Sequence, residues 1–374
     1  MRGRPTVLIA GGGTGGHVFP GLAIAEAFAA ISDVEVFFAG TQRGLEARVI
    51  PERGYELLLF DVSPIKGGGI FRAVRGAFAA GRAALHGYSA LRRRRPSVVV
   101  SIGGYASGPV SLAAAALGVA VVIVEPNSVL GLANRLLAPM ARRAYVAWDE
   151  TARRIGPKAR TLGVPIRSGF VPRPYRPGAT RSVLVLGGSQ GAGALNERLP
   201  DAIVAAAIKV PGLDVVHQTG ADRADAVRAA YAALGFSRVE VLPFIGDMPA
   251  ALARADLVVA RAGASTLAEL AAVGRASILI PFPHAADDHQ ARNARALERA
   301  GGAVCIRQEA ADTVRLSVEI QRLLVRSEER AKMADAARST GKPHAAELIA
   351  RDLLDLMGAP AAQVNGTAVN GEAS

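Results

Sequence analysis

Residues 6–17 read TVLIAGGGTGGH and residues 182–193 read SVLVLGGSQGAG, and these two segments are the strongest indication of the fold. Each is an apolar run of strand length followed by a glycine-rich loop, and a helix is expected next, over 21–30 in the first case and from Ala194 in the second. Strand, glycine loop and helix form the unit that opens a Rossmann-like domain. Because the unit occurs twice, the sequence predicts an α/β protein of two Rossmann-like domains, with parallel sheets that face a deep cleft.

Further apolar runs of strand length follow each glycine loop and alternate with stretches of helical spacing. In the first half they are residues 34–39, 97–102 and 119–124, and in the second half 213–218, 239–243, 257–260, 277–281 and 303–306. This alternation is typical of parallel strands with helices on both faces of the sheet.

A proline-rich stretch of low periodicity separates the two halves and is typical of a linker. The sequence therefore predicts an N-terminal domain over 1–163, a linker over 164–180 and a C-terminal domain over 181–340. A last helix over 341–357 follows the second unit and is free to pack back on the N-terminal domain. The small, polar tail over 358–374 is expected to be disordered.

The composition is that of a globular chain. It has 374 residues, of which 50% are apolar and 20% charged, which is enough for two domains with their own cores. Cys305 is the one cysteine, so no internal disulfide can form, which fits a reducing cytoplasm. No signal peptide is predicted, and no apolar run reaches the roughly 18 residues of a spanning helix. We therefore expect a protein that is soluble or lies on a membrane surface.

The net charge of +12 is unevenly distributed along the chain. Residues 62–124 contain no Asp or Glu, yet they carry Lys66, Arg72, Arg75, Arg82 and the run Arg92–Arg95. An anionic partner (nucleic acid, anionic lipid or phosphate) and an ordinary solvated basic face both fit this pattern. Apolar residues recur beside these arginines near helical spacing, at Phe71, Val74, Phe78 and Leu85. Such a segment is either a helix in an anionic membrane interface or a helix whose apolar side faces the core.

The first glycine loop, from Gly11 to Gly16, suits a phosphate. Its backbone N–H groups can approach an anion at the start of the helix, where the helix dipole favours negative charge. A nicotinamide-binding domain would carry an acid near the end of its second strand, but residues 37–41 read FFAGT. A P-loop would carry lysine where His17 stands. A phosphate site of another kind and a tight turn without a ligand are the explanations left.

The densest polar segment of the second half runs from Arg261 to Glu269 and reads RAGASTLAE. It follows an apolar strand, so its helix N-terminus would present amides and hydroxyls to a diphosphate, and Glu269 would take the ribose hydroxyls. A helix cap made by Ser or Thr, with an acid one turn later, is the structural alternative. Downstream, residues 281–294 (PFPHAADDHQARNA) place a polar cluster at another strand end, a position suited to sugar binding.

Taken together, these segments resemble the MurG family of glycosyltransferases, which have the two-domain GT-B architecture. The similarity extends over roughly Val7 to Leu356, and the combination of motifs in register is highly specific. The motifs are GGGTGGHVFP from Gly11, GGYASGP from Gly103, EPNSVLGLANRLLA from Glu125, GVPIR from Gly163, GGSQGA from Gly187, RAGASTLAEL from Arg261 and DDHQARNA from Asp287.

By matched position the resemblance implies residues for both substrates. For the donor UDP-GlcNAc they are Thr14, Gly15 and Gly16 (which could instead meet the acceptor diphosphate), Asn127, Arg167, Ser189, Ile245, Ala264, Ser265, Thr266, Leu267, Ala268, Glu269 and Gln290. Arg167 and Ser189 would lie close to the donor phosphates. For the acceptor and membrane side they are Gly103, Gly104, Tyr105, Phe71, Arg72, Val74, Arg75 and Phe78. His17 is the candidate base or ligand of an acceptor phosphate.

The activity that the resemblance implies is an inverting transfer of GlcNAc to the 4-hydroxyl of the MurNAc-pentapeptide of undecaprenyl-pyrophosphate lipid I, which forms lipid II for peptidoglycan. It implies no cofactor and no metal, no nucleic acid, and a peripheral position on an anionic membrane surface, the cytoplasmic face of the plasma membrane. The sequence departs from the family at Val124 and Pro126, where polar residues are frequent, and at His289, where glutamine is common.

Two alternatives to this function differ in kind. One is another GT-B transferase with a different acceptor, against which the GGYASGP and GGSQGA segments argue. The other is a non-catalytic nucleic-acid-binding protein, suggested by the positive charge. It would need stacking aromatic side chains or a recognised module, and aromatic residues are only 5% of the chain.

Overall fold

The computed structural model describes residues 4–62, 85, 87–178, 181–188 and 191–359. Its strands form two sheets in which neighbouring strands are parallel. The first sheet has the order β3-β2-β1-β4-β5-β6-β7 and consists of β1 (Thr6–Gly11), β2 (Glu35–Gly40), β3 (Glu56–Leu59), β4 (Val98–Gly103), β5 (Ala120–Glu125), β6 (Arg143–Val146) and β7 (Ala159–Thr161). The second has the order β10-β9-β8-β11-β12-β13 and consists of β8 (Arg181–Leu186), β9 (Leu213–Gln218), β10 (Val239–Leu242), β11 (Leu257–Ala260), β12 (Ser277–Leu279) and β13 (Ala303–Cys305).

Helices cover both faces of each sheet. In the first domain they are α1 (Gly15–Ile31), α2 (Glu46–Glu52), α3 (87–94), α4 (Ser107–Ala116), α5 (Leu132–Leu137) and α6 (Asp149–Ile155). In the second they are α7 (Gly193–Ala207), α8 (Ala224–Ala233), α9 (Met248–Arg254), α10 (Ala264–Val273), α11 (His289–Arg299), α12 (Thr313–Val325) and α13 (Ser327–Thr340), and α14 (Ala345–Met357) follows. Short 3-10 turns span Ala286–Asp288 and Gln308–Ala310.

Alternate residues of β1 enter two different cores, which explains its unbroken apolar sequence. Val7 and Ile9 belong to one core, whereas Leu8 and Ala10 belong to the core on the opposite face. A parallel sheet covered by helices on both faces needs apolar side chains at every position rather than at alternate positions.

The chain order reverses beside the first strand of each sheet. β1 lies between β2 and β4, and β8 lies between β9 and β11. Ligands of open α/β sheets bind beyond the carboxyl ends of the strands at this switch point. The two glycine loops follow β1 and β8, so both lie where a ligand is expected. The two-domain architecture predicted from the repeated unit is confirmed.

The last helix, α14, packs on the first domain rather than on the second. Ile349 and Leu353 are fully buried in the core that contains Val7, and α14 contacts α1. Asp352 accepts a hydrogen bond of 2.5 Å from the hydroxyl of Tyr145 in β6. The chain therefore passes between the domains twice.

The predicted strands agree with the structure to within one or two residues, but three were missed. β3, β6 and β7 have only three or four residues each, and each includes a charged one, so their sequences are weak signals for a strand. The prediction that the first helix begins at Gly21 is wrong, because the helix starts at Gly15, inside the glycine loop. The predicted apolar and basic helix near 71–85, apart from Leu85, which is 74% exposed, and most of the tail predicted to be disordered lie outside the described residues. Among the described helices, none is long and apolar enough to cross a membrane.

Candidate functional site

The first helix begins with an open N-terminus at the switch point of the first sheet. Thr14 precedes α1 in an extended conformation (φ −131°, ψ 161°), and its side chain makes no capping hydrogen bond. Its carbonyl accepts the N–H groups of His17 and Val18. The N–H groups of Gly15 and Gly16 precede the first helical hydrogen bond and have no acceptor within the helix, so they can bind an anion.

A glycine turn after β4, formed by Gly103 and Gly104, packs directly against the first glycine loop. Gly103 and Gly104 have φ of +113° and +92°, and a Cβ at Gly104 would lie 2.4 Å from the carbonyl oxygen of Gly12. Only glycine permits this approach with this backbone. Tyr105 follows with 49% of its surface exposed, and its ring lies 4.0 Å from where a Cβ of Gly13 would be. The structure thus brings three residues predicted for the acceptor side to the glycine loop.

His17 lies between these two loops. Its Nδ1 is 3.2 Å from the carbonyl oxygen of Gly12, and its Nε2 is 3.0 Å from where a Cβ of Gly103 would be. Burial lowers its pKa and a charge on His289 acts in the same direction, whereas the hydrogen bond to the Gly12 carbonyl and the charge of Glu46 raise it. A carbonyl oxygen can only accept, so Nδ1 carries the hydrogen and Nε2 keeps the lone pair. At neutral pH the imidazole is therefore uncharged and able to accept a proton.

Glu46 organises the first glycine loop and was missed by the sequence analysis. It is 1% exposed, at the start of α2, and its carboxylate accepts the N–H of Gly13 at 2.7 Å. The N–H and hydroxyl of Thr41 donate to its other oxygen, each at 2.9 Å. The acid sought at the end of the second strand is therefore present a few residues later, but it binds the loop itself rather than a ribose. The glycines around Glu46 are the one sequence feature that could have indicated its role.

The helix α10 offers a second open N-terminus, in the second domain. Gly263 precedes it in extended conformation (φ −65°, ψ 143°) with no side-chain cap, so the predicted alternative of a Ser or Thr cap is wrong. The hydroxyl of Ser265 is buried and has no hydrogen-bond partner among the described residues. Ala264, Thr266, Leu267 and Ala268 complete this turn and the next. The helix α10 contacts α1, so the two helices with open N-termini meet between the domains.

Arg167, in the linker, contacts both α10 in the second domain and α1 in the first. Its guanidinium lies 3.5 Å from the carboxylate of Glu269 and 4.6 Å from the centre of the Phe19 ring in α1. Burial raises the pKa of Glu269 to about 7, although Arg167 opposes this shift. The resemblance placed Arg167 near the donor phosphates, and here it pairs with the residue predicted to hold the ribose.

Asn127 takes part in a hydrogen-bond chain that joins the domains. The buried carboxylate of Glu125 accepts its N–H at 3.1 Å and its side-chain amide at 3.2 Å. Its own amide oxygen lies 3.5 Å from Nδ2 of Asn293 in α11, and Oδ1 of Asn293 accepts the N–H of Ser128 at 3.2 Å. Asn293 is fully buried, and its sequence context predicts no role for it.

Gln290 and Ile245, both predicted for the donor, belong to the second domain. The side-chain oxygen of Gln290 accepts the N–H of Phe282 at 2.9 Å, which leaves its NH₂ group for a ligand. Ile245 is 6% exposed and follows Phe244, an aromatic side chain that is 53% exposed and was not predicted. Backbone groups at Ile245 and the face of Phe244 are thus both available to a flat ring.

Other predicted residues fall elsewhere. Val124, one of the departures from the family, is buried in the core of the first domain, so an apolar residue suits it. Ser189 and the membrane-side residues Phe71, Arg72, Val74, Arg75 and Phe78 lie outside the described residues. Among the described residues, no group of three His, Cys, Asp or Glu side chains is placed to hold a metal ion.

Comparison with known families covers both domains. Residues 7–146 match the glycosyltransferase family 28 N-terminal domain, and residues 182–349 match the glycosyltransferase family 28 C-terminal domain. These matches span both sheets apart from the edge strand β7, and they include the helices that carry His17 and Glu269.

The chain is similar over nearly its whole length to curated proteins named UDP-N-acetylglucosamine--N-acetylmuramyl-(pentapeptide) pyrophosphoryl-undecaprenol N-acetylglucosamine transferase. The protein of Sorangium cellulosum is 56% identical over 95% of this chain and 89% of the relative, and that of Myxococcus xanthus is 44% identical over 94% and 93%. Among solved structures, MurG of Acinetobacter baumannii has a TM-score of 0.77 and 31% identity over 94% of this chain and 99% of that one. A UDP-GlcNAc 2-epimerase from Neisseria meningitidis (TM-score 0.63, 12% identity, 94% and 100% coverage) shares the fold alone.

Proposed function

The chain belongs to glycosyltransferase family 28, and we infer that it transfers N-acetylglucosamine from UDP to N-acetylmuramyl-(pentapeptide) pyrophosphoryl-undecaprenol. It is a hexosyltransferase of peptidoglycan synthesis. The observation that carries this function is the identity of 56% over 95% of the chain to a transferase of that name. The cleft supports it, because two open helix N-termini suit two diphosphate-bearing substrates.

The donor site that we propose lies on the second domain. The amides at the start of α10 and the unpartnered hydroxyl of Ser265 would bind the diphosphate. Glu269 would accept the ribose hydroxyls, and the backbone at Ile245 would bind the uracil beside Phe244. The NH₂ group of Gln290 would donate to a hydroxyl of the transferred sugar.

The acceptor site that we propose lies on the first domain. The N–H groups of Gly15 and Gly16 would bind the pyrophosphate, and His17 would face the attacking 4-hydroxyl. As the hydroxyl oxygen forms its bond to the anomeric carbon, the bond from that carbon to UDP breaks and the configuration inverts. The hydroxyl proton passes to Nε2 of His17, which is uncharged at neutral pH.

Stabilisation of the departing UDP completes the proposed mechanism. The β-phosphate gains negative charge as its bond to the sugar breaks. The amides of α10 are fixed in place before the reaction and point at this charge, so they need no reorganisation. Arg167 adds a positive charge once the ribose has replaced it at Glu269. We propose that these groups act without a metal ion or cofactor.

We place the membrane-facing surface on the first domain. Exposed apolar side chains lie on α4, on α5 and just after it, at Leu112, Leu136 and Met140, with 45%, 62% and 45% of their surfaces exposed. Arg135 and Arg142 lie beside them in the sequence, which suits an anionic surface. The lipid-linked acceptor would enter from this side, so the protein would be peripheral on the cytoplasmic face of the plasma membrane.

The test of this function is a transfer assay with the purified chain. UDP-GlcNAc and lipid I in detergent should give a lipid-linked β-1,4 disaccharide and UDP in equal amounts. His17→Ala should lower turnover by roughly 10²- to 10⁴-fold, the usual contribution of a general base, with donor affinity nearly unchanged. Absence of the disaccharide with the unaltered chain would refute the function. Full turnover in His17→Ala would refute only the assignment of the base.

A further inference from the structure

One peptide group lies between His17 and Glu46. The carbonyl of Gly12 accepts from Nδ1 of His17 at 3.2 Å, and the N–H of Gly13 donates to Glu46 at 2.7 Å. The carbonyl of residue 12 and the N–H of residue 13 belong to the same planar amide. The imidazole, the peptide and the carboxylate are therefore connected in series, with the buried charge at the far end.

Such a series is polarised in one direction. A carboxylate that accepts a hydrogen bond from an amide N–H polarises the N–H bond. This increases the electron density on the carbonyl oxygen of the same amide. That oxygen then accepts more strongly from Nδ1–H of the imidazole. The effect fixes the tautomer in which Nε2 is unprotonated, and it stabilises the imidazolium that forms when Nε2 takes a proton.

We propose that Glu46 is a positioning residue for the transfer, which acts on His17 through the Gly12–Gly13 peptide. This rests on the proposed function, in which His17 is the base. In other catalytic sites an acid that is hydrogen-bonded directly to the histidine orients the imidazole and stabilises the imidazolium. Here the carboxylate has this role through one intervening peptide group.

The surroundings of Glu46 hold it in this position. A Cβ at Gly12, Gly40 or Gly44 would lie 2.2 Å, 2.5 Å or 2.0 Å from atoms of its side chain, so three glycines make room for it. Thr41 satisfies its second oxygen with two hydrogen bonds of 2.9 Å. Both oxygens of the side chain are thus hydrogen-bonded, and one of them binds the loop that precedes His17.

Other ionisable groups face His17 from neighbouring elements. His289, at the start of α11, acts on it across the cleft and lowers its pKa, whereas Glu46 raises it. Tyr105 lies beside Gly13, and Arg167 lies over Phe19, two residues further along α1. Among these groups, Glu46 is the acid that acts on the imidazole, so removing its charge must lower the pKa of His17.

The central experiment compares Glu46→Gln with Glu52→Gln, a matched control at an exposed position of the same helix. We expect Glu46→Gln to lower kcat roughly tenfold or more, a part of what a general base contributes, with the KM for UDP-GlcNAc nearly unchanged. The acid limb of the kcat profile should move to lower pH, because the charge that raises the pKa of His17 is gone. Glu52→Gln should match the unaltered chain. A loss of activity without a shift of the acid limb would show that Glu46 only maintains the fold, and would overturn the proposal.

A double variant tests whether Glu46 acts through His17. If it does, His17→Ala/Glu46→Gln should be no slower than His17→Ala alone, because the intermediate group is absent. A further loss in the double variant overturns the proposal. If His17→Ala keeps full turnover, the assignment of the base fails. If His17→Ala is inactive and Glu46→Gln behaves like Glu52→Gln, only the peptide connection fails.

A measurement on the unaltered chain covers the case in which Glu46→Gln does not fold. With ¹⁵N-labelled histidine, the ring nitrogen shifts of His17, assigned by their loss in His17→Ala, report which nitrogen carries the hydrogen. A protonated Nδ1 with a free Nε2 at pH 8 supports the proposal. A protonated Nε2 overturns it.

Discussion

The amide oxygen of Asn293 in the second domain lies 3.2 Å from the backbone nitrogen of Ser128 in the first. Because this contact is buried, Asn293→Ala leaves the Ser128 N–H without a partner when the cleft is closed, at a cost of about 1–3 kcal/mol. We expect the variant to populate a more open form, with a larger radius of gyration by small-angle X-ray scattering and a higher KM for UDP-GlcNAc. The exposed neighbour Arg292→Ala is the control. Equal radii and equal KM values in the two variants would contradict the prediction.

The raised pKa of Glu269 predicts a pH dependence of stability. Its pKa is about 7 in the folded chain, against an ordinary value of 4.5 for a glutamate side chain. A carboxyl with a raised folded-state pKa favours folding below the unfolded value, and this contribution is lost as pH rises towards the folded value, by about 3 kcal/mol in total. In urea unfolding between pH 4.5 and 8, Glu269→Gln should therefore gain stability relative to the unaltered chain. The exposed Glu240→Gln should show no such trend. If the free energy of unfolding varied with pH in the same way for both variants and the unaltered chain, the raised pKa of Glu269 would be refuted.

The same shift predicts how donor affinity varies with pH. Ribose hydroxyls donate more strongly to a carboxylate than to a neutral carboxyl group. UDP should therefore bind more tightly to the unaltered chain as pH rises through 7, by calorimetry. Binding to Glu269→Gln should be weaker and nearly independent of pH over that range. If the UDP affinity of Glu269→Gln still varied with pH over that range, another ionisable group would be responsible for the pH dependence.

The turn at Gly104 packs closely against the first glycine loop, so two glycine substitutions should differ greatly in their effect on activity and stability. Gly118→Ala meets only the strain of φ +73°, about 1–2 kcal/mol, because nothing lies within 4 Å of its Cβ. Gly104→Ala, at φ +92°, also places a methyl group 2.4 Å from the carbonyl of Gly12 and must displace the loop. We expect it to lose transferase activity and to melt lower than Gly118→Ala. Similar activities in the two variants would show that the loop tolerates displacement.

Vesicle binding should depend on the exposed apolar side chains of the first domain. Leu136→Glu places a charge on the proposed membrane surface, whereas Ile208→Glu places one at an equally apolar, 76% exposed position in the second domain. Cosedimentation with anionic vesicles should fall for the first variant alone and should weaken with salt for the unaltered chain. Equal vesicle binding of the two variants would show that α5 is not part of the membrane-facing surface.

The parts of the site that follow from local sequence were predictable, and those that depend on distant contacts were not. Gly11 to Gly16 and the segment at Glu269 sit at strand ends where short-range geometry demands glycines or helix-starting residues. Glu46 and Asn293 act across 33 and 165 residues of chain, so no spacing pattern connects them to their partners. The edge strand β7, with three residues, is held by its neighbour in the sheet rather than by its own composition.

The return of α14 to the first domain has a consequence for how the chain folds as it is synthesised. Ile349 and Leu353 complete a core that begins at Val7, so the first domain emerges from the ribosome with one face of its sheet unfinished. The second domain, whose cores draw on residues 166–337, can close before it. The domain made first is therefore the last to be completed, and until then an apolar face of its sheet is open to chaperones or to aggregation.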